Sequence, residues 1–290
     1  MINLSLIDIA QQVNGTLQGN DLVITNVSTD TREISADSLF VALVGPNFNG
    51  HVFANEARQN GAVAMIASEP VEAHMPVIMV EDTKAALGAL GAYVKQKVAP
   101  KTVGITGSSG KTTVKEMATA ILKECGSVLS TQGNFNNDIG VPLTLLRLEA
   151  EHEYAVIEMG ANHIGEIAYT TGLVKPDVAT IVNAAASHLE GFGSLFGVAR
   201  AKSEIFRGLS KSGTAILNYD SQFYDFWLGK LDNELIYSFS LNSAPGKGAD
   251  YSASQVGLAF NGCAYFIMHT PIGEMNIELT LPGIHNVGNA

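Results

Sequence analysis

Residues 104–113 read GITGSSGKTT, and this stretch decides the fold of the larger part of the chain. It ends the short, largely apolar run KTVGIT (101–106). Behind it Val114, Met117, Ala118, Ile121, Leu122 and Cys125 recur at i, i+3, i+4 and i+7, the rhythm of a helix with one buried face. A strand, a loop of glycines and serines, and Lys-Thr opening a helix form the context in which backbone N–H groups wrap a polyphosphate. The spacing departs from the general G-x-x-x-x-G-K-[ST], whose first glycine would fall on Ile105; here Gly104 and Gly107 flank that position. The residues a nucleotide needs are still in place. Lys111 suits the β and γ phosphates and Thr112 suits Mg²⁺, while Gly107 and Gly110 stand where side chains would block close approach.

Outward from the loop, strands and helices alternate: YAVIEM (154–159), a helix over 164–173, DVATIVN (177–183), a helix over 194–208, and TAILN (214–218). Nearly all-apolar strands separated by helices predict a parallel sheet covered on both faces. Beyond Asp220 the pattern weakens, and 251–281 fits short alternating strands. Towards the N-terminus, SLFVALV (38–44), AVAMIA (62–67) and PVIMV (76–80) alternate with helical stretches over 52–59 and 83–97. The fold class is therefore α/β, with a small N-terminal α/β domain over 1–98 and a P-loop parallel-sheet domain over 99–290.

Composition narrows the functional classes. The 290 residues carry a net charge of −11, so duplex DNA or an anionic lipid surface would need a strong local basic patch, which the sequence does not display. With 46% hydrophobic and 16% charged residues the chain can build packed cores. Its first residues lack a basic n-region and carry Asp8 within the apolar stretch, and no apolar run reaches the roughly 18 residues that span a bilayer. Two cysteines, Cys125 and Cys263, cannot supply a disulfide framework and read as small core residues. The expectation is a cytoplasmic protein with no nucleic-acid partner and no membrane insertion.

In a parallel α/β sheet, ligands bind at the carboxyl ends of the strands. Two strand tips bear chemistry. Glu158 ends YAVIE and can hold Mg²⁺ beside the phosphate loop, the alternative being a strand-end acid that faces water. His188 follows the strand ending at Asn183 and reads equally well as a structural histidine or as a metal or phosphate contact.

Taken together, GITGSSGKTT, AVIEMGANHIGEI, NAAASHLEGFGSLFGVARAKSEIF and the terminal LPGIHNVGNA resemble the ATP-dependent Mur ligases in order and approximate spacing. STQGNFNNDIGVPLTLL (130–146) and VSTDTREISADSLFVALVGPNFNGH (27–51) extend the resemblance to essentially the whole chain. They are most similar to the branch of the family that joins D-alanyl-D-alanine to UDP-N-acetylmuramoyl-tripeptide through an acyl phosphate. The resemblance implies ATP and Mg²⁺ as cofactors. Residues Gly107, Ser108, Ser109, Gly110, Lys111, Thr112 and Thr113 would hold the nucleotide phosphates, and Asn286 and Asn289 would lie near the adenine. Thr112, Glu158 and His188 would hold metal, and Lys111, Glu158, His188 and Lys202 would form the catalytic group.

Lys202 matches a lysine that this family commonly carbamylates; without the resemblance it reads as an ordinary solvated helix lysine. Thr29, Asp30, Thr31 and Arg32 match the uridine-diphosphate contact region, and Asn134, Asn137 and Asp138 the segment facing the muramyl peptide. Because family members continue past the HNxxNA motif into a third domain, the resemblance also implies that the central domain is incomplete at Ala290 and that the isolated chain is inactive. The alternatives are the sibling ligase that adds the third amino acid, a folyl-polyglutamate synthetase, against which the first domain argues, and a nucleotide-binding module without catalysis.

Overall fold

The computed structural model describes residues 1–186, 189–210, 212–232 and 235–290. The chain divides into two compact units, Met1–Pro100 with Gln132–His152, and Lys101–Thr131 with Glu153–Ala290.

The first unit holds a five-stranded sheet made of β1 (Thr16–Gln18), β2 (Asn26–Ser28), β3 (Ser38–Val41), β4 (Ala62–Ala67) and β5 (Val77–Met79), in the order β1-β5-β4-β3-β2. Only the β1–β5 pair is antiparallel. β3 is buried along its whole length, as its unbroken apolar run requires. Helix α1 (Thr83–Val98) starts where the Asp82 carboxylate accepts the N–H groups of Lys84 and Ala85. It stops at Ala99, which adopts a left-handed conformation just before Pro100.

A single cut near residue 99 does not describe this unit, because Gln132–His152 joins it from beyond the phosphate loop. The physical reason is packing. The helix Gly140–Leu146 buries six of its seven residues, and it approaches α1 so closely that a Cβ on Gly91 would lie 3.0 Å from the Pro142 backbone.

The second unit contains β6 (Lys101–Thr106), helix α2 (Lys111–Lys123), β7 (Val128–Ser130), β8 (Tyr154–Glu158), helix α3 (Glu166–Val174), β9 (Val178–Ile181), helix α4 (Leu195–Ser203), β10 (Thr214–Asn218), β11 (Leu235–Ser240), β12 (Tyr251–Leu258), β13 (Cys263–Thr270) and β14 (Gly273–Pro282). Its nine strands are ordered β7-β8-β6-β9-β10-β11-β12-β13-β14. They run parallel from β7 to β12 and antiparallel from β12 to β14. β6 therefore lies between β8 and β9, so the loop that leaves its carboxyl end is flanked by the tips of both neighbours.

Helix α2 packs on this sheet differently from the rhythm read in the sequence. Val114, Ala118 and Leu122 lie half-buried against Ile105, Val156 and Val182, but Ile121 is 67% exposed and Cys125 lies beyond the helix end and is exposed. The fully buried residues of α2 are Lys115 and Thr119. Cys263 is buried, as expected of a small core residue.

Candidate functional site

The loop Gly107–Gly110 is shaped by the tip of β9. The Ser108 N–H donates to the Asn183 carbonyl at 3.1 Å, and the Ser109 N–H donates to Asn183 Oδ1 at 3.0 Å. Asn183 Nδ2 returns a bond to the Ser109 carbonyl at 3.1 Å, and Ser108 Oγ donates to the Ala185 carbonyl at 3.0 Å. Ser108 and Ser109 thus spend these groups on the loop's own form. Gly110 has φ +77°, and a Cβ there would sit 2.7 Å from Asn289 Oδ1, so the position excludes a side chain twice over. Gly110 also offers no side-chain cap to α2. The N–H groups in the first turn of α2, at Lys111, Thr112 and Thr113, are therefore the ones presented to an anion, in a field that favours negative charge.

Glu158 is 2% exposed at the tip of β8, which overturns the reading of a solvated strand-end acid. Its Oε2 accepts the Thr112 hydroxyl at 2.9 Å, and its N–H donates to Thr131 Oγ1 at 3.0 Å. A hydroxyl and a carboxylate oxygen side by side at the mouth of a phosphate loop are hard donors suited to Mg²⁺, which is usually held by one or two protein oxygens, with phosphates and water completing its shell. Among the described residues no group of three or more His, Cys, Asp or Glu gathers as a metal site. His188, the other proposed ligand, lies outside the described residues.

Lys202 is 2% exposed, so the solvated helix lysine is replaced by a buried amine. Its Nζ stands 5.7 Å from the centre of the Phe192 ring. Burial first, and the charge of Lys111 second, lower its pKa to about 8, with Glu166 acting in the opposite direction. Two residues on, the buried Glu204 accepts N–H bonds from Gly165 and Ala168 at 2.9–3.1 Å and so caps α3.

Beside Gly110 opens a cavity of about 320 Å³, lined among others by Val114, Val182, Phe239, Met268 and Asn289. The two asparagines of the terminal motif differ in role. Asn289 lines the cavity, while the buried Asn286 accepts from Asn289 Nδ2 and donates to the Pro282 carbonyl, both at 2.9 Å.

In the first unit, Asp30 caps the turn Thr31–Glu33 and accepts Arg32 N–H at 3.0 Å, Nε at 2.9 Å and Nη2 at 2.5 Å. The Arg32 guanidinium holds the Asp30 carboxyl down at about 2. Thr31 Oγ1 donates to Glu56 at 2.6 Å, and Thr29 is half-buried. Farther along this unit, Asn137 Oδ1 accepts the Gly140 N–H at 2.8 Å, Asp138 pairs with Lys84, and Asn134 is exposed.

Thr131 and Asn183 entered the site from the structure. Asn183 was visible as a strand end, but no residue pattern marked Thr131. Among the described residues no helix is long and apolar enough to cross a membrane.

Comparison with known proteins follows the same outline. The family model described as the Mur ligase middle domain matches residues 105–290, and that described as the Mur ligase family, catalytic domain, matches residues 23–95. The UDP-N-acetylmuramoyl-tripeptide–D-alanyl-D-alanine ligase of Escherichia coli (strain K12) is 48% identical over 290 residues, covering 100% of this chain and 63% of that protein. The ligase of the same name from Bacillus subtilis (strain 168) is 37% identical over 298 residues, covering 100% of this chain and 62% of that protein. Among solved structures, MurF from Acinetobacter baumannii superposes with a TM-score of 0.93 at 39% identity, covering 99% of this chain and 63% of that one. The MurF ligase from Thermotoga maritima in complex with ADP gives a TM-score of 0.80 at 28% identity, covering 91% of this chain and 60% of that one. The chain thus spans less than two thirds of the length of these relatives.

Proposed function

The chain belongs to the Mur ligase family, and on that premise we propose that it carries the ATP-phosphate site and the UDP-substrate domain of a ligase joining D-alanyl-D-alanine to UDP-N-acetylmuramoyl-tripeptide. The names of its 48% and 37% identical relatives support this substrate pair over that of the sibling ligase. A nucleotide-binding module without catalysis has no comparable support. A cytoplasmic location accords with a step that uses ATP and a UDP-linked precursor.

The observation that carries the reading is the meeting of Thr112 Oγ1 and Glu158 Oε2 at 2.9 Å beside the first turn of α2. A carboxylate is a poor electrophile, so forming an amide at neutral pH requires its activation. The terminal carboxylate oxygen of the tripeptide attacks the γ phosphorus of ATP and ADP departs. The amine then attacks the acyl carbon, and the tetrahedral intermediate expels phosphate. Two anions meet in the first step. Lys111 and the N–H groups of the first turn of α2 balance the negative charge that accumulates there. Thr112 and Glu158 would hold Mg²⁺, which supplies further charge neutralisation when bound. In the cavity beside Gly110, Asn289 offers an amide to the edge of a base and apolar walls to its faces.

Lys202 is the residue we assign to carbamylation. A pKa of about 8 leaves a usable fraction of neutral amine near pH 7–8, and the amine nitrogen adds to CO₂ with loss of a proton, turning a buried cation into an oxygen anion. The carbonyl-¹³C signal of a carbamate in ¹³CO₂-equilibrated protein, lost in Lys202→Ala, is the measurement.

The whole reading is tested in two arms. Calorimetric titration of the 290-residue chain with ADP plus Mg²⁺, and separately with UDP-N-acetylmuramoyl-tripeptide, should give saturable binding of both. A protein containing these residues should release phosphate only when ATP, the tripeptide precursor and D-alanyl-D-alanine are all present. Phosphate release that ignores the dipeptide would defeat the substrate assignment.

A further inference from the structure

Lys115 is a buried cation that the reading above does not use. It is 2% exposed on α2, the helix whose Val114 and Ala118 lie half-buried against the sheet. Taking an ammonium out of water is expensive unless it is paired and hydrogen-bonded. Its partners are specific. Nζ donates to the Thr131 carbonyl at 2.7 Å and meets Glu116 Oε1 at 2.7 Å.

Thr131 is 1% exposed and stands one residue beyond the end of β7, where the short strand leaves the sheet. Its own N–H donates to the Val156 carbonyl of β8 at 3.0 Å, and its Oγ1 accepts the N–H of Glu158. Glu158 in turn accepts the hydroxyl of Thr112, which lies three residues before Lys115 on the same face of α2. The bonds close a ring: α2 to the tip of β7 through Lys115, β7 to β8 through Thr131, and β8 back to α2 through Glu158.

We propose that Lys115 is a positioning residue that locks the tip of β7, and through Thr131 the backbone of Glu158, so that the Glu158 carboxylate stays aligned with Thr112 for a divalent cation. The inference rests on the nucleotide reading given above. It adds a second layer to that site, of the kind that orients metal ligands and typically changes metal affinity about 10–100-fold when removed. Lysine suits the task because its long stem crosses the apolar layer beneath α2 and delivers a charge-assisted bond to a carbonyl past the end of the strand ladder.

The test measures how much Mg²⁺ is needed to tighten ADP binding, using a fluorescent ADP analogue titrated first in EDTA and then across a Mg²⁺ series. Lys115→Met keeps the length of the side chain and removes its charge. It should melt cooperatively and bind ADP in EDTA within about twofold of the unaltered chain, yet require about tenfold more Mg²⁺ for half-maximal tightening. Lys115→Arg should recover most of that loss. Merely structural damage would weaken ADP binding in both conditions alike. A folded Lys115→Met with an unchanged Mg²⁺ requirement overturns the proposal. Should that variant not fold, Thr131→Val, which removes the acceptor of the Glu158 N–H, must show the same rise, and its absence overturns the proposal equally. An unaltered chain that binds no ADP at any Mg²⁺ concentration instead brings down the nucleotide reading, and this inference with it.

Discussion

The phosphate loop of the second unit and the Thr29–Arg32 turn of the first are both short polar segments that follow a strand, but they are held in opposite ways. Around the loop, Asn183, Glu158, Thr131 and Lys115 bond inward and leave the first turn of α2 facing outward. In the turn, the cation that the family resemblance assigns to a diphosphate is already engaged, since Asp30 takes three bonds from Arg32 while the Arg32 side chain remains 84% exposed. On the proposed reading, the loop is prepared for a phosphate before the phosphate arrives. On the same reading, the turn would exchange an internal carboxylate for an external phosphate. Preorganisation of the first kind concentrates binding energy in a few groups, whereas an exposed, self-paired arginine contributes only the difference between two partners.

The strongest way to break this contrast is Lys111→Ala, which removes a charge from the prepared site. ADP–Mg²⁺ affinity in the chain, and ligation by a protein containing it, should fall by about 10²-fold with the melting temperature nearly unchanged. A loss no larger than that of an exposed charge would erase the distinction between the two regions.

For the turn, Arg32→Ala should weaken binding of the UDP-linked tripeptide by about tenfold at most, the scale of one charge-assisted hydrogen bond at an exposed site. Asp30→Asn sharpens the comparison, because it removes the competitor while keeping a side-chain oxygen to cap the turn. UDP-ligand affinity should rise by roughly twofold to fivefold, with a stronger salt dependence than in the unaltered chain, because Arg32 then stands uncompensated. In the unaltered chain the competition should be insensitive to pH across the neutral range, because Asp30, held at about 2, stays ionised there. If Asp30→Asn loses affinity, the carboxylate belongs to the binding surface and does not compete with the ligand.

The smallest effect concerns stability. The folded pKa of Lys202 is lowered from 10.5 to about 8, so between about pH 8 and 10.5 the unfolded chain holds more protons than the folded one. Its contribution to stability therefore rises with pH across that window and is least favourable below pH 8. In ligand-free, CO₂-free protein, Lys202→Met should melt a few degrees higher at pH 7, with the gap closing towards pH 10.5. A gap independent of pH would assign the gain to packing alone.

The P-loop domain was legible because its signals are local. KTVGIT, GSSGKTT and the periodicity after Lys111 lie within one strand, one loop and one helix, and backbone geometry alone restricts what such a run can form. Glu158 was legible for the same reason, as an acid ending an apolar strand. Other features depend on residues far apart in the chain. The Gly140–Leu146 helix joins the first unit because Gly91 lets Pro142 approach α1, a fit between segments about fifty residues apart. The periodicity also placed Ile121 and Cys125 on the buried face of α2, where the sheet beneath does not reach them.

Charged side chains show the division most clearly. Lys111, Lys115 and Lys202 are the same residue type; the loop before Lys111 marks it for phosphate and the family resemblance marks Lys202, while the letters around Lys115 state only that it lies on a helix. Their surroundings come from what is packed against them: the mouth of the loop for Lys111, the Thr131 carbonyl for Lys115, and for Lys202 an apolar wall with a neighbouring cation, which lower its pKa. Secondary structure follows from the torsional and hydrophobic preferences of neighbours in sequence. Desolvation and Coulomb energy depend on neighbours in space, and so the environments of these lysines are decided only in the folded chain.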